Sequence, residues 1–332
     1  MFRRTWLVVP TALILGGVCV SSAAASTPGG NGDIAFTIEP AAPGGTAQLY
    51  TLNPRTKALR QLTHAPEAAS INADWSGDGR RLIYEVDTPT VPYVVIAHSD
   101  GTHRQVVASS VGGWLGQPAF VPHSNNIVVE RFDPTTGDDG IWLMRTDGSH
   151  ARRLTDTPAP ATGLDTDPNV SPDGRTVSFV RATKTDDQQA LYSIRIDGTH
   201  LRRLLPYADD VAVKHDWSPD GSHIVVTINA NVGSRPKASA EVMTLRADGS
   251  HRHILTPLAG RRVNAYVGSY SSDGRWIVFR LESGDGTGLL PDGKFGLYQI
   301  HPCGGRAHLI AAIAGRPRYI DWGPRPAPHT DH

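Results

Sequence analysis

Net charge is the first thing missing from this chain: 32 basic side chains stand against 32 acidic ones over 332 residues. A neutral chain sets up no general field for nucleic acid or anionic lipid, so neither is expected as a partner. Cysteine is nearly absent. Of the two in the sequence, Cys19 lies in an N-terminal stretch expected to be removed, so no internal disulfide is expected in the exported chain. Long apolar runs are missing beyond that stretch. The run Leu7 to Val20 falls short of the roughly 20 residues a spanning helix needs, so no membrane span is expected. No helical periodicity is visible, which leaves strands. The common catalytic phrases are absent too: no Gly-x-Ser-x-Gly elbow, no His-Glu-x-x-His pair and no phosphate loop. The chain is therefore expected not to be an enzyme.

The first 25 residues read as an export leader. Arg3 and Arg4 precede the apolar run, and Ala23-Ala24-Ala25 offers a small-residue cleavage site before Ser26. The expectation is a leader at 1–25 and one domain at 26–332, located in the periplasm or secreted.

What fills that domain is repetition. An aromatic or apolar residue opens one short phrase six times: Trp75-Ser-Gly-Asp-Gly79, Phe120-Val-Pro-His-Ser124, Val170-Ser-Pro-Asp-Gly174, Trp217-Ser-Pro-Asp-Gly221, Tyr270-Ser-Ser-Asp-Gly274 and Trp322-Gly-Pro324. The steps between them are 45, 50, 47, 53 and 52 residues. A period near fifty marks repeated supersecondary units. After each phrase comes a strand-length apolar run (Ile224-Val-Val226, Ile277-Val-Phe279), then a third strand (Leu191-Tyr192) and an Asp-Gly turn expected to be type I′. An Arg-rich fourth strand follows, such as Arg202-Arg203, its charge suited to an exposed edge. Four antiparallel strands per repeat make a propeller blade.

The ends indicate how the ring closes. Asp33-Ile-Ala-Phe36 matches a second strand with no first ahead of it, and Tyr319-Ile-Asp-Trp322 matches a first strand with no second behind it. Paired, they complete one blade. The fold class is therefore all-β: a six-bladed propeller of four-stranded antiparallel blades, sealed by its N- and C-terminal strands.

The phrase Trp-Ser-Pro-Asp-Gly followed by an apolar strand resembles the repeat of TolB-type β-propellers, across roughly Ile34 to Pro324. The resemblance implies an extracytoplasmic six-bladed binding scaffold. TolB proteins also carry an N-terminal α/β domain, for which Ser26 to Ile34 leaves no room, so the resemblance does not bring their Tol–Pal role with it. Phe120-Val-Pro-His-Ser124 lacks the Asp and the Gly, so its turn must be built differently.

The short turns are expected on one face and the long irregular loops on the other, with any binding surface on the long-loop face, because loops on a rigid scaffold collect binding residues. There Trp114, Tyr207 and Tyr266 are candidate contacts for a protein or glycan partner, against the alternative that they pack between blades. The residue before each repeat aromatic reads Asp74, Ala119, Asn169, Asp216, Ser269 and Asp321. The five polar ones are expected to line the channel. Two roles are open to them there: gathering around a hard cation such as Ca²⁺, or bonding the backbone of the next blade or water. No cofactor is otherwise expected. The leading expectation is a monomeric, non-enzymatic scaffold. The alternatives are a calcium-centred propeller hydrolase of the lactonase kind and a purely structural cell-surface module.

Overall fold

A computed structural model describes residues 30–40, 45–156, 163–183, 188–229, 239–258 and 261–326. The expected leader at 1–25 lies outside these residues. The described strands form six four-stranded antiparallel sheets, as the repeat requires. Blades 2 to 6 take their strands in chain order, and their innermost strands are Ala69–Trp75, Trp114–Phe120, Asp165–Val170, Val211–Trp217 and Val263–Tyr270. Blade 1 is composite. The last strand, Arg316–Pro324, is its inner strand and pairs antiparallel with the first, Asn31–Glu39. Ile34 stands opposite Trp322, and Ala35 opposite Asp321.

Apolar residues of neighbouring blades interdigitate to form the core. Phe36, Phe179 and Phe279 occupy the second strands of blades 1, 4 and 6, and all are fully buried. Phe179 packs on Tyr192 across its own sheet, with centroids 5.8 Å apart. Alternating burial on a pleated strand is what positions these rings between blades.

The first turns behave as their residues dictate. In blade 4, Ser171 Oγ donates to Asp173 Oδ1 (2.6 Å), which also accepts from the Arg175 amide (3.0 Å). Gly174 then takes a φ of +69°, a region that penalises a branched side chain. Blade 3 builds its turn differently, as expected: His123 carries the positive φ, +58°, one place earlier than the glycine of the other blades.

The Asp-Gly turns differ from expectation. In blade 2 the Gly101 amide donates to His98 O, and the His98 amide donates to Thr102 O. Gly101 has φ +81°, while Asp100 is not among the positive-φ residues. This is a three-residue type I turn closed by a glycine bulge rather than type I′. The Asp side chain drives the choice, because its Oδ1 accepts from both the amide and the hydroxyl of Thr102. Cys303 is part of a disulfide.

Every inner strand is irregular. The pairing register of the inner strand slips once in each of blades 2 to 6, as between Ile71 and Asp74 or Thr166 and Asn169, and twice in blade 1. In five blades a residue three places before the repeat aromatic has positive φ: Asn72, Gln117, Asp167, Lys214 and Tyr319. Bulges of this kind bend a strand and increase its twist, which suits strands that converge on an axis.

Candidate functional site

The bulged inner strands set two polar tiers around the axis. The upper tier consists of the residues just before the repeat aromatics. Asp74, Asn169, Asp216 and Asp321 line an axial cavity of about 140 Å³, together with Ala119 and the repeat aromatics. Ser269 does not line it. It is fully buried, and its Oγ accepts from the Trp322 amide at 2.6 Å.

That bond belongs to a series. Asp321 Oδ2 accepts from the Trp75 amide (3.0 Å), Asp74 Oδ2 from the Phe120 amide (2.8 Å) and Asp216 Oδ2 from the Tyr270 amide (2.8 Å). Each side chain thus fastens its blade to the next by satisfying a buried donor. Asn169 works in the other sense and donates from Nδ2 to His215 O (3.0 Å). Both roles weighed from the sequence, channel lining and bonding to the next blade, hold at once for Asp74, Asn169, Asp216 and Asp321.

Burial and mutual repulsion shape their charge. Desolvation, reinforced by Asp321, holds the Asp74 carboxyl well above the usual carboxylate range and pushes Asp216 up to about 7. Lys214 sits one tier deeper. Burial works against its charge, but Asp321, Asp167, Asp74 and Asp216 outweigh it and raise its pKa. Among the described residues, no group of three His, Cys, Asp or Glu side chains is placed to hold a metal ion.

The deeper tier, invisible to a search for known motifs, contains a Ser-His-Asp relay. Asp167 Oδ2 lies 3.0 Å from His215 Nδ1, and His215 Nε2 lies 2.7 Å from Ser178 Oγ. The serine hydroxyl also accepts from Trp217 Nε1 at 2.9 Å. Ser178 and His215 are completely buried, so no substrate reaches this hydroxyl. It ties blades 4 and 5 together. Between blades 3 and 4, Thr166 Oγ1 stands 2.7 Å from both Gln117 Oε1 and Glu130 Oε2. One hydroxyl proton cannot serve two acceptors. Desolvation, with Asp139 nearby, raises Glu130 to about 8, and a Glu130 that keeps its proton would donate to Thr166 and leave the Thr166 proton for Gln117. A reading at the offset three before each aromatic (Asn72, Gln117, Asp167, Lys214, Tyr319) would have found this tier.

The axial cavity opens among the short first turns: Ser76, Gly77, Pro122, Pro172, Pro219 and Ser272 belong to its wall. A second cavity, of about 640 Å³, lies at the same end beside the closing blade and shares Trp75 and Pro324 with the first. Both cavities lie on the face opposite the long loops where a binding surface is expected. Short turns leave the converging inner strands uncovered, so the concavity forms there. Much of the long-loop face, including 184–187 and 230–238, lies outside the described residues.

The structure does not bring the three candidate aromatics together at either cavity. Trp114 packs on Phe132, its cross-strand neighbour, at 5.5 Å. Tyr207 packs on Tyr192 at 6.4 Å, and Tyr266 lies under the Arg280 guanidinium at 4.3 Å. The ring partners of Trp114 and Tyr266 lie in their own blades, and that of Tyr207 lies in the blade it follows. The Arg-rich outer strands do more than expected: Arg60 and Arg202 donate to Asp100 O and Asp248 O in the following blades' turns, at 2.9 and 2.6 Å.

Comparison with known proteins follows the geometry. The family model described as the TolB beta propeller domain matches residues 64–294. No curated protein matches the chain. Among solved structures, TolB from Acinetobacter baumannii superposes with a TM-score of 0.68 at 18% identity, covering 92% of this chain and 69% of that one. The putative TolB from Agrobacterium tumefaciens gives 0.64 at 17%, covering 88% and 98%. A chain of the nidogen/laminin complex gives 0.58 at 14%, covering 87% and 97%. At these identities the likeness is one of fold.

Proposed function

The chain belongs to the TolB β-propeller domain family, and on that premise we propose that it is an exported, non-enzymatic scaffold that receives a protein partner end-on at its axial mouth. The observation that carries this reading is the size and lining of the mouth. At about 140 Å³ it is well below the roughly 300–1,000 Å³ typical of small-molecule sites, yet it accommodates one protruding side chain. Its rim of prolines and repeat aromatics is rigid, so little entropy is lost on docking. Aromatic anchors around a central hole are what a protein hot spot needs.

Two further observations support the reading. The one nucleophile–base–acid relay noted is sealed in the interior, with Ser178 and His215 inaccessible. Among the described residues no helix is long and apolar enough to cross a membrane.

The test is chemical crosslinking and capture from envelope extract, comparing wild type with a Pro172→Trp/Pro219→Trp variant that fills the mouth from its rim. Circular dichroism and melting temperature verify the fold. Partners of the wild type should be lost from the filled variant and retained by Tyr207→Ala, whose side chain is remote from the mouth. Identical partners for wild type and the filled variant would overturn the proposal.

A further inference from the structure

The closing blade lacks something the other five have. No turn joins its inner strand to its second strand, because the second strand begins at Asn31 and the inner strand ends at Pro324. Where a Ser-x-Asp-Gly turn would sit, the 640 Å³ cavity opens. That volume falls within the range of small-molecule sites, unlike the axial mouth.

Its wall includes three arginines: Arg55 from the hairpin between the third strand, Gln48–Leu52, and the outer strand, Arg60 from the outer strand and Arg325 just beyond the last strand. Among the described residues none of the three forms an ion pair with a carboxylate. Arg60 spends one nitrogen on a backbone carbonyl, Asp100 O, and Arg325 lies 3.5 Å from Asn31 O. The two carboxylates in the same wall are already occupied. Asp33 Oδ1 accepts from Asn53 Nδ2 at 2.8 Å, and Asp100 Oδ1 accepts the amide and hydroxyl of Thr102. Arg60 is near enough to Asp100 to help lower its pKa, but none of the three guanidiniums is taken up in a direct ion pair. A planar fork of this kind takes phosphate or carboxylate oxygens bidentately.

We propose that the seam cavity is a binding site for a small anion, whose phosphate or carboxylate groups are held by Arg55, Arg60 and Arg325. The site depends on the break in the closing blade, and although it shares Trp75 and Pro324 with the axial mouth, none of its three arginines lines that mouth, so either can fail alone.

Isothermal titration calorimetry of the full chain at low ionic strength tests it, with inorganic phosphate in one arm and citrate in the other. Wild type should bind at least one of them at a single site, and the tighter arm identifies the ligand's acid group. Arg55→Ala/Arg325→Ala should weaken that binding about tenfold or more, while Arg175→Ala/Arg195→Ala, two exposed arginines of blade 4, should leave it unchanged. If the alanine pair compromises folding, Arg55→Lys/Arg325→Lys keeps the charge without the fork and should bind severalfold more weakly than wild type. No heat from either anion at millimolar concentration, or equal binding by wild type and both arginine-pair variants, would overturn the proposal.

Discussion

Blade 1 and blade 4 have the same four strands and the same kind of buried phenylalanine, yet one is continuous chain and the other is assembled from two ends. In blade 4 the inner strand passes to the second through Ser171 to Gly174, a turn braced by its own side chains. In blade 1 that covalent link is replaced by pairing across Ile34–Trp322, Ala35–Asp321 and Thr37–Arg318. The neighbouring blades treat both alike: Asp321 reaches the Trp75 amide as Asp74 reaches that of Phe120. The ring is therefore closed by the device that joins its interior blades, and the missing turn is exchanged for a cavity.

Deletion of residues 316–324 should do the most to separate the two blades. It removes the inner strand of blade 1 and exposes both the first strand and blade 6, so the cooperative thermal transition should disappear. A melt followed by circular dichroism checks this. Retention of the wild-type transition would mean the seam is dispensable.

Next in size are Phe36→Ala and Phe179→Ala. Both side chains are fully buried, and each truncation should cost about 3–5 kcal/mol in urea unfolding. Similar costs would mean the assembled blade packs as tightly as the continuous one. A markedly smaller cost at Phe36 would mark the seam as loose.

Asp321→Ala and Asp74→Ala each leave a buried amide without its acceptor, so each should cost about 1–3 kcal/mol. Asparagine at either position keeps an oxygen for the amide and should restore most of the loss. Failure of asparagine to rescue would show that charge, rather than the interblade bond, is what matters.

The smallest effect expected is on pH dependence. Burial raises Asp216 and Asp139 to about 7 and Glu130 to about 8. Their folded-state pKa values exceed the unfolded ones, so the folded form holds the extra protons. The stability they contribute is full below the ordinary carboxylate range and is lost as pH rises through about 7 to 8. Melting temperature should therefore fall between pH 6 and pH 9, and Asp216→Asn should flatten part of that slope. A wild-type profile rising over that range would contradict the assignment.

The fold was legible because it rests on backbone requirements that residues advertise locally. Gly174 and Gly221 mark left-handed positions, and the unmatched strands at Ile34 and Trp322 mark closure. The upper tier at Asp74, Asn169, Asp216 and Asp321 was legible because it recurs one place before each aromatic. The lower tier escaped because a bulge shifts the alternation, so Asp167, Lys214 and Tyr319 do not follow the simple two-residue period of a flat strand. Nothing local in the sequence shows that Trp114 and Tyr266 meet the cross-strand neighbours Phe132 and Arg280. The seam cavity comes from residues nearly three hundred positions apart, and no local phrase announces it.

Hydrogen exchange at the seam tests the central claim most directly. The amides of 34–38 and 316–322 should exchange as slowly as those of Thr176–Ala182 in the continuous blade, all opening only with global unfolding. Exchange at the seam that is orders of magnitude faster, with blade 4 still protected, would contradict closure by the terminal strands.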